Sequence, residues 1–398
     1  MTAAIQTAGS RSPSRLTDAD CRVEDFAALV DQTTDLADYP HAAEVQLNVL
    51  VYDSAIVRSA ISSVEGRESV EAELIHALTA GPGVVAFTGA FADLDVIDRA
   101  TATFEAIIAA EKVNGGRNDH FAKAGANDRV WNALEKLAVR DPGVFVDYYA
   151  NDILALVSTA WLGPGYQVTS QVNVVRPGGQ AQDPHRDYHL GFLSNEVAAN
   201  YPAHVHTLSP VLTLQGAVAH SDMPVESGPT MYLPYSHQYA PGYLAWRRPE
   251  FREFFARRYV QLPLTKGDAV FFNPALFHGA GTNTSADVQR MANLLQVSSA
   301  FGRAMETVDR IKTAKAVYPV LQARRAAGVD PQSLRNAINC AAEGYPFPTN
   351  LDRDENVDGL SPLAQTALLE QALTEDWDAD QVTQALDVYA ARHRTDEI

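Results

Sequence analysis

From residue 166 to about 300 the chain alternates apolar and polar positions in short runs. These are YQVTSQVNVV (166–175), VLTLQGAVA (211–219), TMYLP (230–234), YVQLPL (259–264), DAVFFN (268–273) and MANLLQVSSAF (291–301). A period of two broken by Gly and Pro turns predicts strands. Several such strands with no helices alternating between them predict an all-β sandwich or jelly-roll barrel. Residues 20–160 carry apolar positions at helical spacing instead, in Val70, Leu74, Ile75 and Leu78 and in Phe104, Ile107 and Ile108. Between those runs, GPGVVAFTGAF (81–91) predicts a buried strand, and a helix over 143–160 ends at Gly163-Pro164-Gly165. A basic, aromatic segment, PGYLAWRRPEFREFFARR (241–258), interrupts the strands as a helical, lid-like insertion. Beyond 305 the helical period returns over 307–327, 331–342 and 361–391, with the acidic loop 351–359 between the last two. Asp378 or Asp380 caps the final helix, whose apolar face includes Val382, Leu386 and Tyr389.

The expected organisation is a flexible tail over 1–19, a catalytic-size domain over 20–305 and a helical extension over 306–398. Within the domain, a helical scaffold (20–160) precedes a β core (166–301). Hydrophobic residues at 46% and charged residues at 20% give an ordinary globular composition. The formal net charge of -18 argues against nucleic acid and anionic membranes as partners. That charge is uneven: residues 341–398 hold 13 acids against 3 basic residues, whereas 161–305 hold 9 acids against 10. The β core is therefore near neutral. No apolar run approaches a membrane span, and the N-terminal stretch lacks a secretory apolar core, so a cytoplasmic location is expected. With only Cys21 and Cys340, a metal would have to be held by His and carboxylate. Neither a Rossmann nor a P-loop glycine pattern is present.

The informative segment is DPHRDYHLGF (183–192), where His185 and Asp187 are two apart at a strand edge. Side chains at i and i+2 share a face and can reach one metal ion. A lone HxD is weak evidence, because such pairs arise often on turns. Further along, KGDAVFFNPALFHGAGTN (266–283) leads a strand to His278. Two histidines and one carboxylate form the facial triad suited to non-haem Fe(II), which leaves adjacent coordination positions for a 2-oxo acid and O2. Arg290, twelve residues beyond His278, stands where a guanidinium could pair with the far carboxylate of 2-oxoglutarate, or else on the surface. On the first strand Gln171 and Asn173 alternate with valines. They face either a barrel interior, where they could bond cosubstrate or substrate, or solvent.

HRDYHLGF (185–192), SGPTMYLPYSH (227–237) and KGDAVFFNPALFHGAGTN followed by Arg290 together resemble the phytanoyl-CoA dioxygenase family of Fe(II)/2-oxoglutarate oxygenases. The resemblance covers about residues 166–300. It implies a double-stranded β-helix (jelly-roll, cupin-like) flanked by N- and C-terminal helices, iron held by His185, Asp187 and His278, and 2-oxoglutarate held by Arg290. The position two after the distal His, often Ser in relatives, is Ala280, and Arg290 sits one place late. Related halogenases replace the metal-binding acid by a small residue; Asp187 favours oxygenation. The expected reaction consumes O2 and 2-oxoglutarate, with ascorbate as a supporting reductant, releases succinate and CO2, and hydroxylates an unactivated C–H of a small molecule. Desaturation, cyclisation or epimerisation would use the same site, a non-catalytic cupin-like binder would keep the metal without turnover, and a Zn2+ or Mn2+ enzyme would use the same residues.

Other candidates carry two readings each. Tyr188 and His189 line a substrate pocket or pack on the lid. His204 and His206 are an HxH without a third ligand nearby and read as ordinary residues, and His237 caps its turn. Arg247, Arg248, Arg252, Arg257 and Arg258 form a solvated helix face or meet an anionic group. The C-terminal helices offer a contact for a homodimer.

Overall fold

The computed structural model describes residues 14–113, 127–356 and 361–395. Most of the expected N-terminal tail, and residues 357–359 of the acidic loop, lie outside the described residues. Ten strands form two sheets: β1 (Glu44–Gln46), β2 (Val49–Asp53), β3 (Val84–Thr88), β4 (Asn127–Val130), β5 (Gln167–Val175), β6 (Thr213–Ala219), β7 (Thr230–Leu233), β8 (Ala269–Phe272), β9 (Phe277–Ala280) and β10 (Arg290–Ser298). The large sheet has eight strands in the order β1-β2-β3-β8-β6-β10-β5-β4. Its pairs are antiparallel except β2 with β3. The small sheet pairs β7 with β9 and is widened by single bridges from His278 to His185 and from Tyr232 to Val260. Two facing sheets with helical additions make the jelly-roll that the alternating pattern predicts.

The period of two divides the large sheet cleanly. Val172 and Val174 of β5 face a continuous apolar core, which also holds Phe145, Tyr149, Phe104 and the C-terminal residues Val317, Tyr318, Leu321 and Leu369. Gln171 and Asn173, the alternate positions, face the space between the sheets. Helices thus back one face, and the polar face is left for chemistry.

Four sequence expectations need correction. The helical scaffold contributes β1, β2 and β4 as well as the expected β3: VLVYD pairs with β1 across a two-residue turn and with β3 on its other side, and β4 pairs with β5. Residues 259–264 make only isolated bridges. Residues 14–19 do not hang free: Ala203 N donates to Ser14 O, and Leu16 is buried in a small core with Phe26 and Phe251. The single final helix is also two, Gln365–Thr374 and Ala379–Arg392, the second opened by an Asp378 capping box with Gln381.

Candidate metal centre

His185, Arg186 and Asp187 lie on an extended segment beside β9, where His185 N donates to His278 O and His278 N to His185 O. Alternation sends His185 and Asp187 to one side and Arg186 to the other. Arg186 is fully buried, donates to the carbonyls of Ser236 and Tyr239, and lies about 5 Å from the Tyr243 and Phe277 rings (5.1 and 5.2 Å). Burial lowers its pKa to about 10. Gly242 is required opposite it, since a Cβ there would stand 1.9 Å from the guanidinium carbon. The middle residue of the motif is thus an anchor that fixes its two neighbours.

One ligand atom from each of His185, Asp187 and His278 lies within 4.8 Å of the others. His185 Nε2 is 3.6 Å from Asp187 Oδ1, and His278 Nε2 is 3.5 Å from Asp187 Oδ2. Each ring is oriented by a backbone carbonyl at Nδ1, that of Asp183 for His185 (2.9 Å) and that of Leu276 for His278 (2.8 Å). Nδ1 therefore carries the proton and Nε2 presents a lone pair. Burial lowers the His185 pKa, against the opposing pull of Asp187. Burial works against ionisation of Asp187, but His185, His278 and the Gln215 amide outweigh it and hold the carboxyl well below its usual range. Two imidazoles and one carboxylate converging on a point fit a divalent metal with open positions.

The centre opens into a cavity of about 760 Å³ between the sheets. At one end lies Arg290, buried at 6% exposure at the start of β10. It donates to Gly228 O and makes no ion pair with a carboxylate among the described residues. Burial lowers its pKa to about 10, the mark of a cation lacking its counter-charge. Gly228 has φ +72°, and a Cβ there would sit 2.4 Å from Thr282 O, so the turn that meets Arg290 needs glycine. Thr230, Tyr232 and Ala280 line the cavity with Arg290. This end offers a carboxylate one buried guanidinium.

Gln171 and Asn173 both line the cavity, which resolves their two readings toward the interior. Gln171 is already engaged, accepting from Arg129 Nη1 (2.8 Å) and reaching Gln296 and Glu306. Asn173 Oδ1 is buried without a partner among the described residues. Tyr188 is buried and His189 bonds Ser209 Oγ (2.9 Å); neither is among the residues lining the cavity. The wall is made instead by Phe192, Trp131 and Trp246, the last edge-on to His185 at 6.4 Å. His204 and His206 lie on the helix Ala203–Val211, away from the centre, and His237 Nε2 meets Thr79 O. Sequence reasoning missed Gln215, whose amide touches Asp187, and the lining residues Thr230 and Tyr232, which the alternation of TMYLP placed on one face.

A family profile, phytanoyl-CoA dioxygenase (PhyH), matches residues 81–292. No curated protein matches the chain. Solved structures that it resembles include AviO1 from Streptomyces viridochromogenes Tue57, at 20% identity over 59% of this chain and 97% of that one, TM-score 0.42. They also include SnoN, the non-haem α-ketoglutarate-dependent epimerase from nogalamycin biosynthesis, at 18% identity over 60% of this chain and 84% of that one, TM-score 0.39. HygX from Streptomyces hygroscopicus, with nickel and 2-oxoglutarate bound, is 16% identical over 57% of this chain and 87% of that one, TM-score 0.38. The profile spans more than half of the sequence, and the chain belongs to the phytanoyl-CoA dioxygenase family of Fe(II)/2-oxoglutarate-dependent oxygenases.

Proposed function

We propose that His185, Asp187 and His278 hold Fe(II), that Arg290 binds the distal carboxylate of 2-oxoglutarate, and that the enzyme hydroxylates a small uncharged polar molecule. The observation that carries this is the convergence of the three ligands on a cavity that also holds a buried arginine with no carboxylate partner among the described residues. Iron with 2-oxoglutarate would let O2 serve as the oxidant, one oxygen atom passing into succinate as 2-oxoglutarate loses CO2 and the other into the substrate C–H. The protein's own part is positioning. Nδ1 bonds aim both imidazoles, Arg290 sets the direction of the cosubstrate by a charge-assisted pair, and the aromatic wall excludes water.

The substrate class rests on charge. Arg252 is paired with Asp183 (3.2 Å), Arg129 is engaged with Gln171 beside Glu306, and Arg186 is enclosed by carbonyls and rings. After Arg290 is taken by cosubstrate, the described lining residues offer no cluster of free cations for the phosphates of an acyl-CoA. Trp246, Trp131 and Phe192 favour a substrate with an apolar face, and Asn173 offers an acceptor to a hydroxyl or N–H.

Anaerobic addition of Fe(II) and 2-oxoglutarate should produce the weak visible charge-transfer band of the chelate. Asp187→Ala and His278→Ala should abolish it. A wild-type protein that shows no band, or variants that retain full iron affinity, would defeat the assignment.

A further inference from the structure

Gln215, on β6, turns its side-chain amide onto the metal-binding carboxylate. Its Nε2 lies 2.5 Å from Asp187 Oδ2. An ionised carboxylate only accepts hydrogen bonds, so the amide must present its nitrogen there and its oxygen elsewhere. That oxygen, Oε1, is buried without a partner among the described residues, and Gln215, only 7% exposed, lines the cavity. The backbone on both sides is fixed. Asp187 N donates to Pro274 O (3.1 Å), while Gln215 is held in register between Gln296 of β10 and Phe272 of β8. A buried amide with an unbonded oxygen is unfavourable for folding alone, where an apolar residue would fit the sheet better.

We infer that Gln215 is a positioning residue for the metal centre: its amide occupies Oδ2 of Asp187, holding the carboxylate in one rotamer and leaving Oδ1 for the metal. The inference rests on the metal-centre reading above. The two carboxylate oxygens are nearly equivalent in distance to the imidazoles, 3.6 Å for Oδ1 to His185 and 3.5 Å for Oδ2 to His278, so the imidazoles alone do not choose between them. The Gln215 amide does. Without it the carboxylate is free to rotate or to offer both oxygens, which would take up a position needed for cosubstrate or O2.

The test uses Mn(II) alone as the probe, with the free ion counted by its EPR signal in the full-length protein. Gln215→Met keeps the length and removes the donor, and Gln215→Leu serves as a second variant should the first not fold. Circular dichroism reports folding of each. Loss of an outer partner of this kind lowers metal affinity by about 10- to 100-fold, the loss expected for Gln215→Met. The infrared carboxylate difference bands on Mn(II) binding should change with it, a signature that a purely structural role would leave in place. Arg290→Ala should keep wild-type Mn(II) affinity. Binding by a folded Gln215 variant within about twofold of wild type, with unchanged carboxylate bands, would overturn the inference against the loss expected for such a partner. Failure of the wild-type protein itself to bind Mn(II) would instead bring down the metal centre.

Discussion

At the scale of single residues, what separates Arg290 from an ordinary surface arginine is the missing counter-charge. It is buried, bonded to one backbone carbonyl, and has no carboxylate partner among the described residues. Replacing it by alanine should remove a charge-assisted pair of about 2–3 kcal/mol, or about 30- to 150-fold in 2-oxoglutarate affinity. Lysine should recover only part of this, since an ammonium cannot make the paired contact of a guanidinium. Iron binding should be unchanged in both. Titration of the chelate band at fixed Fe(II) gives the affinities, and equal affinity for wild type and Arg290→Ala would remove the residue from the site. His185 and Asp187 were legible in the sequence because their relation is local, two positions on one extended segment. Gln215 was not, since its contact with Asp187 depends on strand register across a fold that spacing alone does not define.

At the scale of elements, the HxD segment works because its middle residue is pinned from behind. Arg186 fills the space above Gly242, on the short helix Gly242–Ala245 of the insertion, and donates to the carbonyls of Ser236 and Tyr239. The insertion is therefore less a mobile lid than a support. Its second helix, Pro249–Arg258, adds the ion pair from Arg252 to Asp183, whose carbonyl orients His185. That pair is partly exposed and contributes at most about 1 kcal/mol. The Gly242 contact matters more. Gly242→Ala would drive a methyl into the buried guanidinium and should cost about 2–4 kcal/mol through overpacking and loss of its bonds. A thermal melt lowered by several degrees, with weakened iron binding, is the expected result; an unchanged melt would show that the motif does not depend on this anchor. Long β runs and the tail helices were readable from periodicity. The three-residue β1 and four-residue β4 were not, because so few positions carry no usable period and their pairing is supplied by β2 and β5.

At the scale of the whole molecule, the helices from both ends of the chain form one core with the back of the large sheet, and more than half of the net negative charge belongs to residues 341–398. Arg324 joins the C-terminal helices to Asp147, and Arg310 donates to Val168 O of β5, so the extension is part of the oxygenase and not an appendage. Within this core His220, one residue beyond β6, is enclosed with Thr101 Oγ1 on Nδ1 and the Tyr148 hydroxyl on Nε2, each at 2.9 Å. Burial lowers its pKa to about 3, with Asp98 opposing weakly. A histidine near 6.5 in the unfolded chain takes up a proton there well before it does so in the native core. The unfolded state then binds more protons, and native stability is lost as pH falls from about 6.5 toward 3. Between pH 7 and 5 this one residue should remove about 2 kcal/mol of stability. His237, lowered by burial to about 4, acts in the same direction. His220→Gln keeps a polar group in the network but cannot titrate, so its stability should fall less over that interval, by roughly the amount His220 contributes. Denaturant titrations of the metal-free protein at pH 7 and pH 5 measure the difference for each form. Identical pH dependence in wild type and variant would mean that His220 is not the proton-binding group, and the acid sensitivity of the core would then belong to other residues.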